Sequence, residues 1–180
     1  IFNGNGYDPA EQERLTKEGY TRIDSGVEAM SKFTDAKNVK LFSDLGILAP
    51  HEVTARQAVM FEHYTGMVEM EALSMVQMIE QHVVPSVENA KDVLKTTGAT
   101  EPRLDAANLK KAAQEINDAI AGIHAAANAE EGARLARVLR LEQMVEVRKM
   151  CDEAEAVCPK EVWTLPSYAD MLFDNEWLEQ

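Results

Sequence analysis

The longest hydrophobic pattern in the chain extends from His51 to about Leu94. Apolar residues recur there in steps of three, four and seven, which is the spacing of one face of an α-helix and not of a strand. The members of this predicted face are Val53, Val59, Met60, Met67, Met70, Leu73, Val76, Ile79, Val83 and Val87. Pro85 interrupts the pattern, and we expect it to kink the helix or to end its first part near Val84.

Two further long helices are predicted after a loop at residues 96–102. One extends from about Arg103 to Ala127, and the other follows a weak break at residues 128–132 and ends before Pro159. The apolar face of the first of these helices comprises Leu109, Ile116, Ile120 and Ile123. The face of the second comprises Leu135, Val138, Leu139, Leu141 and Val145. Both faces are expected to pack inward.

The sequence therefore predicts an all-α fold, an antiparallel bundle of three to four long helices, because short connections make neighbouring helices antiparallel. Short N-terminal helices precede the bundle, and Asp8 and Thr34 are expected to cap two of them. The predicted division is an N-terminal arm at residues 1–50, the long-helix bundle at 51–158 and an irregular aromatic C-terminal arm at 159–180. At 180 residues, these parts form one compact domain overall.

The charge of the chain limits its partners. The formal net charge is -13 at pH 7, which weighs against binding to nucleic acid or to an anionic membrane surface, since both attract basic proteins. No apolar run approaches the roughly 20 residues that a membrane span needs. The expected partners are protein subunits of a larger assembly. One such assembly would be a membrane complex to whose periphery the chain docks.

Cys151 and Cys158 are the two cysteines of the chain. On one helix they would lie about 10 Å apart, which is too far for an unstrained disulfide. Two free thiols indicate a reduced soluble compartment, either the cytoplasm or the plastid stroma. The first residue is Ile1 rather than Met, so we expect either a removed leader or a piece of a longer chain.

Catalytic motifs are missing from the sequence. His51-Glu52 begins like a zinc-protease motif, but the second histidine of that motif is not present. None of the four histidines has a glutamate three positions earlier, as a di-iron bundle requires. We therefore expect no catalytic residue, no cofactor and no metal site in this chain.

Two patterns on the long helices allow more than one interpretation. The first is rich in methionine and comprises Met60, Met67, Met70, Met75 and Met78. It indicates core packing, with an adaptable partner-binding groove as the alternative. The second is the row Arg134, Arg137 and Arg140, preceded by Glu130. It indicates an ion-paired, solvated face, with an anion or an acidic partner as the alternative ligand.

The C-terminal arm holds the candidate binding residues. It is aromatic and interrupted by proline, and it ends in a short helix through Phe173 that Ser167 is expected to cap. Such an arm either straps across its own bundle or docks into a neighbouring subunit. The predicted partner-binding residues are Trp163, Tyr168, Phe173 and Trp177.

Four segments occur in an order that resembles the C-terminal region of type III glutamine synthetases. They are Phe2–Tyr7 (FNGNGY), Lys37–Phe42, Glu71–Met75 and Trp163–Phe173. The resemblance covers essentially the whole chain, with Thr164 standing where that family usually has proline. It implies a helical domain that follows the catalytic domain of a large oligomeric enzyme, which ligates ammonia to glutamate with ATP and Mg²⁺ or Mn²⁺. The family's metal-, nucleotide- and phosphate-binding residues precede FNGNGY, so the resemblance assigns no catalytic residue here.

Two functional hypotheses follow. In the first, the chain is a non-catalytic helical scaffold or linker that mediates assembly within a larger protein complex. In the second, it is the C-terminal fragment of an active type III glutamine synthetase, with the catalytic residues upstream. ATP and Mg²⁺ or Mn²⁺ would be cofactors only in the second case.

Overall fold

The computed structural model describes residues 4–98, 100–166 and 168–173, and these ranges contain helices and no strand. The short N-terminal elements are α1 (Pro9–Lys17), α2 (Gly26–Ser31), a 3-10 turn (Lys32–Thr34) and α3 (Ala36–Asp44). The longer helices are α4 (Pro50–Met78), α5 (Val84–Thr97), α6 (Ala106–His124), α7 (Ala129–Val138) and α8 (Met144–Glu155). A 3-10 turn (Lys160–Val162) and α9 (Tyr168–Phe173) follow. The predicted all-α class is confirmed.

Two compact units make up the chain, residues 1–60 and residues 61–180. Helix α4 belongs to both, because it continues through this division. The predicted boundaries at residues 50 and 158 stay predictions.

The first unit holds the short helices. Asp8 caps α1 as predicted, and its side chain accepts a hydrogen bond from a backbone N–H of the first turn. The predicted cap at Thr34 is wrong, because Asp35 occupies the N-cap position of α3. The Thr34 hydroxyl instead donates to Gln57 Oε1 (3.3 Å), and Gln57 Nε2 donates to the carbonyl of Met30 (2.8 Å). These two bonds fix the start of α4 against the segment that joins α2 to α3.

The direction of α6 in the second unit follows from two side-chain pairs. Lys110 Nζ lies 2.7 Å from Glu88 Oε1, and His124 Nε2 lies 2.9 Å from Glu69 Oε1. Residue numbers rise along α6 while those of its partners fall, so α6 is antiparallel to the α4–α5 helix.

The third long helix has the opposite direction to α6. Arg140 Nε lies 3.1 Å from Glu71 Oε2, and Cys158 Sγ donates to the carbonyl of Ser86 at 3.6 Å. Residue numbers rise together along both elements, so α7–α8 is parallel to α4–α5. The second unit is therefore an up-down-up bundle of three long helical segments, as the short connections predicted.

The core of this bundle draws on all three segments. Its largest buried contributors are Val68, Val76, Ile79, Val83, Val87, Leu104, Leu109, Ile116, Ile120, Ile123, Leu139 and Val147. Alanines at several core positions, including Ala72, Ala113 and Ala136, let the helices approach closely. The inward face predicted for α6 is confirmed.

Two wide π turns interrupt the long helices, at Ile79–Val83 and Leu139–Gln143. Pro85 explains the first of them. It has no N–H to donate to the carbonyl of Gln81, and its ring would clash with that carbonyl in a regular α-helix. The chain widens instead, and the N–H of Val84 donates to the carbonyl of Ile79, five residues back. The predicted interruption near Val84 is thus a π turn within a continuous helix.

Candidate functional site

An uncharged apolar strip, which we call the methionine stripe, lies on the outside of α4. Its exposed residues are Gly66, Met67, Met70, Leu73, Ser74, Gln77 and Met78. Met70 is 56% exposed, Leu73 47% and Met78 47%. The predicted inward packing of Met67, Met70 and Leu73 is therefore wrong, as is that of Val59, and the alternative of an adaptable surface fits these methionines better.

The core of the bundle explains this reversal. Val68, Ala72 and Val76 follow one another at helical spacing and are buried, so they form the face of α4 that packs inward. The methionine stripe lies on other faces of the same helix. Next to Met70, the stripe includes a shallow depression of about 350 Å³. Within the described part of the chain, Glu69 is the charged side chain that lines it, and its carboxylate lies 2.9 Å from His124 Nε2.

A second surface, which we call the acidic groove, lies between α6, the second π turn and α8. Its volume is about 840 Å³, which is within the range of protein binding pockets. Ala112, Ile116 and Val147 are buried at its floor, while Leu141 and Val145 are exposed along it. Four exposed carboxylates complete the lining, those of Glu115, Asp118, Glu142 and Glu146. Among the residues that the structure describes, no lysine or arginine lines the groove.

The carboxylates of the acidic groove are only partly neutralised. Glu115 lies 3.3 Å from Lys111 Nζ, and Glu142 lies 3.2 Å from Arg137 Nη1. Asp118 and Glu146 have no ion pair within the described ranges. Both existing pairs lie at the solvent-exposed rim, where an ion pair contributes little to stability. The groove thus combines an apolar floor with an excess of negative charge.

Sequence reasoning missed this groove and gave its residues another role. Leu141 and Val145 were expected to pack inward, yet they are 46% and 55% exposed. Leu135 and Val138, which precede the π turn, are also exposed, so Leu139 is the member of the predicted face that is buried, together with Val147 beyond the turn.

The arginine row on α7 and the second π turn is ion-paired, as predicted. Arg134 Nη2 lies 2.6 Å from Glu130 Oε1. Arg137 contacts Glu142, and Arg140 contacts Glu71 on α4. These three guanidinium groups therefore have carboxylate partners within the chain, which confirms the interpretation as a solvated, paired face.

Trp163 packs against the core of its own bundle. Its ring is partly buried and contacts the core. The partly buried side chains of Val162 and Leu165 contact the core as well. Its indole Nε1 is buried without a hydrogen-bond acceptor in the described part of the chain. The N–H of Thr164 donates to Ser86 Oγ (3.3 Å), and Thr164 Oγ1 lies 3.0 Å from His82 Nδ1. This segment therefore straps across the first π turn and α5.

The other predicted partner-binding residues lie further along the chain. Tyr168 and Phe173 are the first and last residues of α9, which confirms the predicted short helix. Trp177, like the expected cap Ser167, lies outside the described residues. The structure thus brings Trp163 to the bundle, and partner binding by Trp163, Tyr168, Phe173 and Trp177 stays a prediction.

Neither the two thiols nor the other potential ligands of the described residues form a reactive or metal-binding site. Burial raises the pKa of Cys151 to about 11, and burial also raises the pKa of Cys158. Both thiols are free. Among the residues that the structure describes, no three His, Cys, Asp or Glu side chains are grouped so as to hold a metal ion. None of the described helices is long and apolar enough to cross a membrane.

Comparisons with known proteins give one consistent result. The family model described as "Glutamine synthetase C-terminal domain" matches residues 1–101. Type-3 glutamine synthetase of Dictyostelium discoideum is 27% identical over 96% of this chain and 26% of its own length. Glutamine synthetases of Butyrivibrio fibrisolvens (27% identical) and Bacteroides fragilis (24%) match 96% of this chain and 27% of their own length. The chain thus spans about a quarter of the length of these relatives.

Proposed function

Because this chain belongs to the glutamine synthetase C-terminal domain family, we propose that it is a non-catalytic helical module that holds protein subunits together in a larger assembly. The observation that carries this proposal is the methionine stripe. It presents several large apolar side chains to solvent side by side on one helix, in a chain with a net charge of -13. Exposed apolar patches of this kind mark surfaces that bind other proteins.

The composition of the methionine stripe suits protein docking. From Gly66 to Met78 it extends about 18 Å along the helix, given a rise of 1.5 Å per residue. Its exposed members carry no charge, and the carboxylate of Glu69 beside them lies 2.9 Å from His124 Nε2, so a partner in covering the stripe would desolvate chiefly uncharged side chains. Methionine side chains adapt to irregular partner surfaces, and Gly66 and Ser74 leave room on either side of Met70. The expected partner is an apolar surface of another protein subunit.

The aromatic arm adds a second contact to this proposal. Trp163 is engaged with its own bundle, so it would position the arm rather than bind the partner directly. Tyr168, Phe173 and Trp177 follow it and remain the proposed partner contacts. A reduced compartment, the cytoplasm or the plastid stroma, is part of the same proposal and is supported by the two free thiols.

A second candidate function is supported by the relatives. All three are named glutamine synthetases, and this chain spans about a quarter of their length. In this alternative the chain is the C-terminal part of an active type III enzyme. Glutamate, ammonia, ATP and a divalent metal would then bind to residues outside this chain, and the methionine stripe would pack within that enzyme.

The experiment that separates the two candidates is the intact mass of the polypeptide in its native assembly, isolated gently and then dissociated. A polypeptide near 20 kDa in a complex with unlike subunits is expected from the assembly module. A polypeptide several times larger, in an oligomer of one chain type, would overturn it in favour of the synthetase.

A pair of variants tests whether the methionine stripe makes the contact. Met70→Gln with Leu73→Gln should release the chain from its assembly, while Val93→Gln, which changes an exposed residue of α5 outside the stripe, should leave it bound. Native mass spectrometry of the reconstituted complex measures how much of each variant is bound. Full assembly of the stripe variant would show that another surface holds the partner.

A further inference from the structure

The acidic groove has a chemistry that the methionine stripe lacks, and it calls for a different partner. We infer that the groove binds a basic amphipathic helix of a partner protein, with apolar side chains on the floor and lysine or arginine opposite the rim. This inference goes beyond the proposed function, because it concerns a second surface and would stand if the methionine stripe bound nothing.

The shape of the groove selects a helix as its occupant. It extends along α6 from Asn108 to Ala119, which is about 16 Å or three helical turns. The floor is apolar, since Ala112 and Ile116 are buried in it and Val145 is exposed on the α8 side. An amphipathic helix fills a groove of this kind with anchors at positions i, i+3 or i+4, and i+7.

The charge of the rim selects a basic occupant. Asp118 and Glu146 lie on opposite sides of the groove, on α6 and α8, and neither has an ion pair within the residues described. Asp118 accepts a hydrogen bond from Gln114 Nε2 at 2.8 Å, but covering both carboxylates with an uncharged helix would still take two negative charges out of water with no cation opposite them. A lysine or arginine on each flank of the bound helix would replace that hydration with ion pairs.

Two other occupants fit this charge poorly. A second copy of the chain could offer its methionine stripe, but the exposed residues of the stripe carry no cation. Residues 174–180 of this chain include Asp174, Glu176 and Glu179 and no lysine or arginine. Both would leave the rim carboxylates unpaired, and a net charge of -13 opposes self-association.

The test uses three synthetic 15-residue peptides and fluorescence anisotropy with the full chain. The first has leucines at helical spacing on one face and lysines elsewhere. The second replaces every lysine with glutamate, and the third scrambles the first so that it has no apolar face. Only the first should bind. Equal binding of the scrambled peptide would overturn the inference, because it would show general attraction to an acidic chain.

Matched variants then locate the site. Asp118→Asn with Glu146→Gln should weaken the lysine peptide roughly three- to tenfold at low salt, as expected for two exposed ion pairs, and less at 0.5 M salt. Glu13→Gln with Glu155→Gln makes the same change in net charge at exposed positions outside the groove and should change the affinity less than about twofold. Equal weakening by the two pairs would refute the assigned site.

The floor has its own control. Val145→Ser should weaken the lysine peptide about fivefold, because an exposed apolar anchor is lost. Val93→Ser removes a similarly exposed valine from α5 and should have no effect. Circular dichroism confirms that each variant is folded. If sedimentation shows that the chain is a dimer that Val145→Ser dissociates, the occupant is a second copy and the inference fails.

Discussion

Trp163 decides whether the C-terminal segment holds its own bundle together. Its ring is partly buried against the core, and the N–H of the next residue, Thr164, donates a hydrogen bond to the fully buried Ser86. Trp163→Ala removes the largest apolar side chain of this strap while leaving the bonds of Thr164 in place. We expect the free energy of unfolding to fall, because the ring covers core side chains that water would then reach.

The magnitude follows from the burial of the ring. Truncation of a fully buried tryptophan costs about 3–5 kcal/mol. The ring of Trp163 is only partly buried, and its Nε1 is buried without an acceptor in the described ranges, which offsets about 1 kcal/mol of the loss. We therefore expect a loss of about 2–3 kcal/mol, or roughly 4–12 °C in Tm for a chain of this size.

Trp163→Phe is the matched control. It keeps an aromatic ring against the core and removes the unpartnered N–H, so the two effects oppose each other. The free energy of unfolding should lie within about 1 kcal/mol of the unchanged chain. A loss as large as that of Trp163→Ala would mean that the indole N–H does have a hydrogen-bond partner.

Urea unfolding followed by circular dichroism at 222 nm measures both variants. The slope of the transition should stay constant, which shows that the change lies in stability and not in the extent of unfolding. If Trp163→Ala unfolds at the same urea concentration as the unchanged chain, the strap does not stabilise the bundle. Trp163 would then be available to a partner, which is the alternative that the sequence left open.

Two further predictions concern buried groups of the same bundle. Ser86→Ala should lower the free energy of unfolding by about 0.5–1.5 kcal/mol, because Ser86 Oγ accepts the N–H of Thr164 inside the core; an unchanged urea midpoint would show that this bond contributes nothing. Cys151, with its pKa raised to about 11, should react slowly with iodoacetamide at pH 8, where roughly a thousandth of it is thiolate. The rate of this reaction should rise about tenfold per pH unit up to about pH 11. Mass spectrometry of the Cys151 peptide measures the rate. A rate that levels off near pH 9 would contradict the burial argument.

The helices and their order could be predicted from the sequence. Apolar spacing located the three long segments, and the loop around residues 96–102 separated the first two as expected. Local chemistry also sufficed at Asp8, which caps α1 as predicted. The resemblance to type III glutamine synthetases, read from four motifs, is confirmed by the family match.

The inward face of α4 could not be predicted from spacing alone. Apolar residues occupy more than one face of this helix, so the pattern is compatible with burial of Met70 or of Ala72. The small volume of Ala72 lets a neighbouring helix approach, and that neighbour then decides which face becomes core. Val76, Ile79, Val83 and Val87 of the predicted face are buried, whereas Met67, Met70 and Leu73 of the same predicted face are exposed.

The acidic groove was beyond sequence reasoning for a different reason. Its lining combines residues from α6 with residues from α8, and their juxtaposition depends on the phase of the intervening π turn. The π turn at Leu139–Gln143 contains no proline, so the local sequence does not predict it. Val138 and Val145, seven residues apart, were assigned to one inward face from their apolar spacing, whereas the structure leaves both exposed.

The π turn at Ile79–Val83 has a consequence for how the chain can change in length. In a π turn, the hydrogen bond joins residues i and i+5, so the turn contains one residue more than a regular α-helical turn. Each residue of an α-helix rotates the side-chain direction by about 100°. Insertion of one residue into a regular helix would therefore rotate every later side chain away from its neighbours. A wide turn absorbs the additional residue locally, and buried residues continue on both sides of it, with Val76 before it and Val87 after it. Deletion of one residue here, with replacement of Pro85, should leave a straight helix with the same buried face, which makes this turn the place where sequences of unequal length can share one bundle.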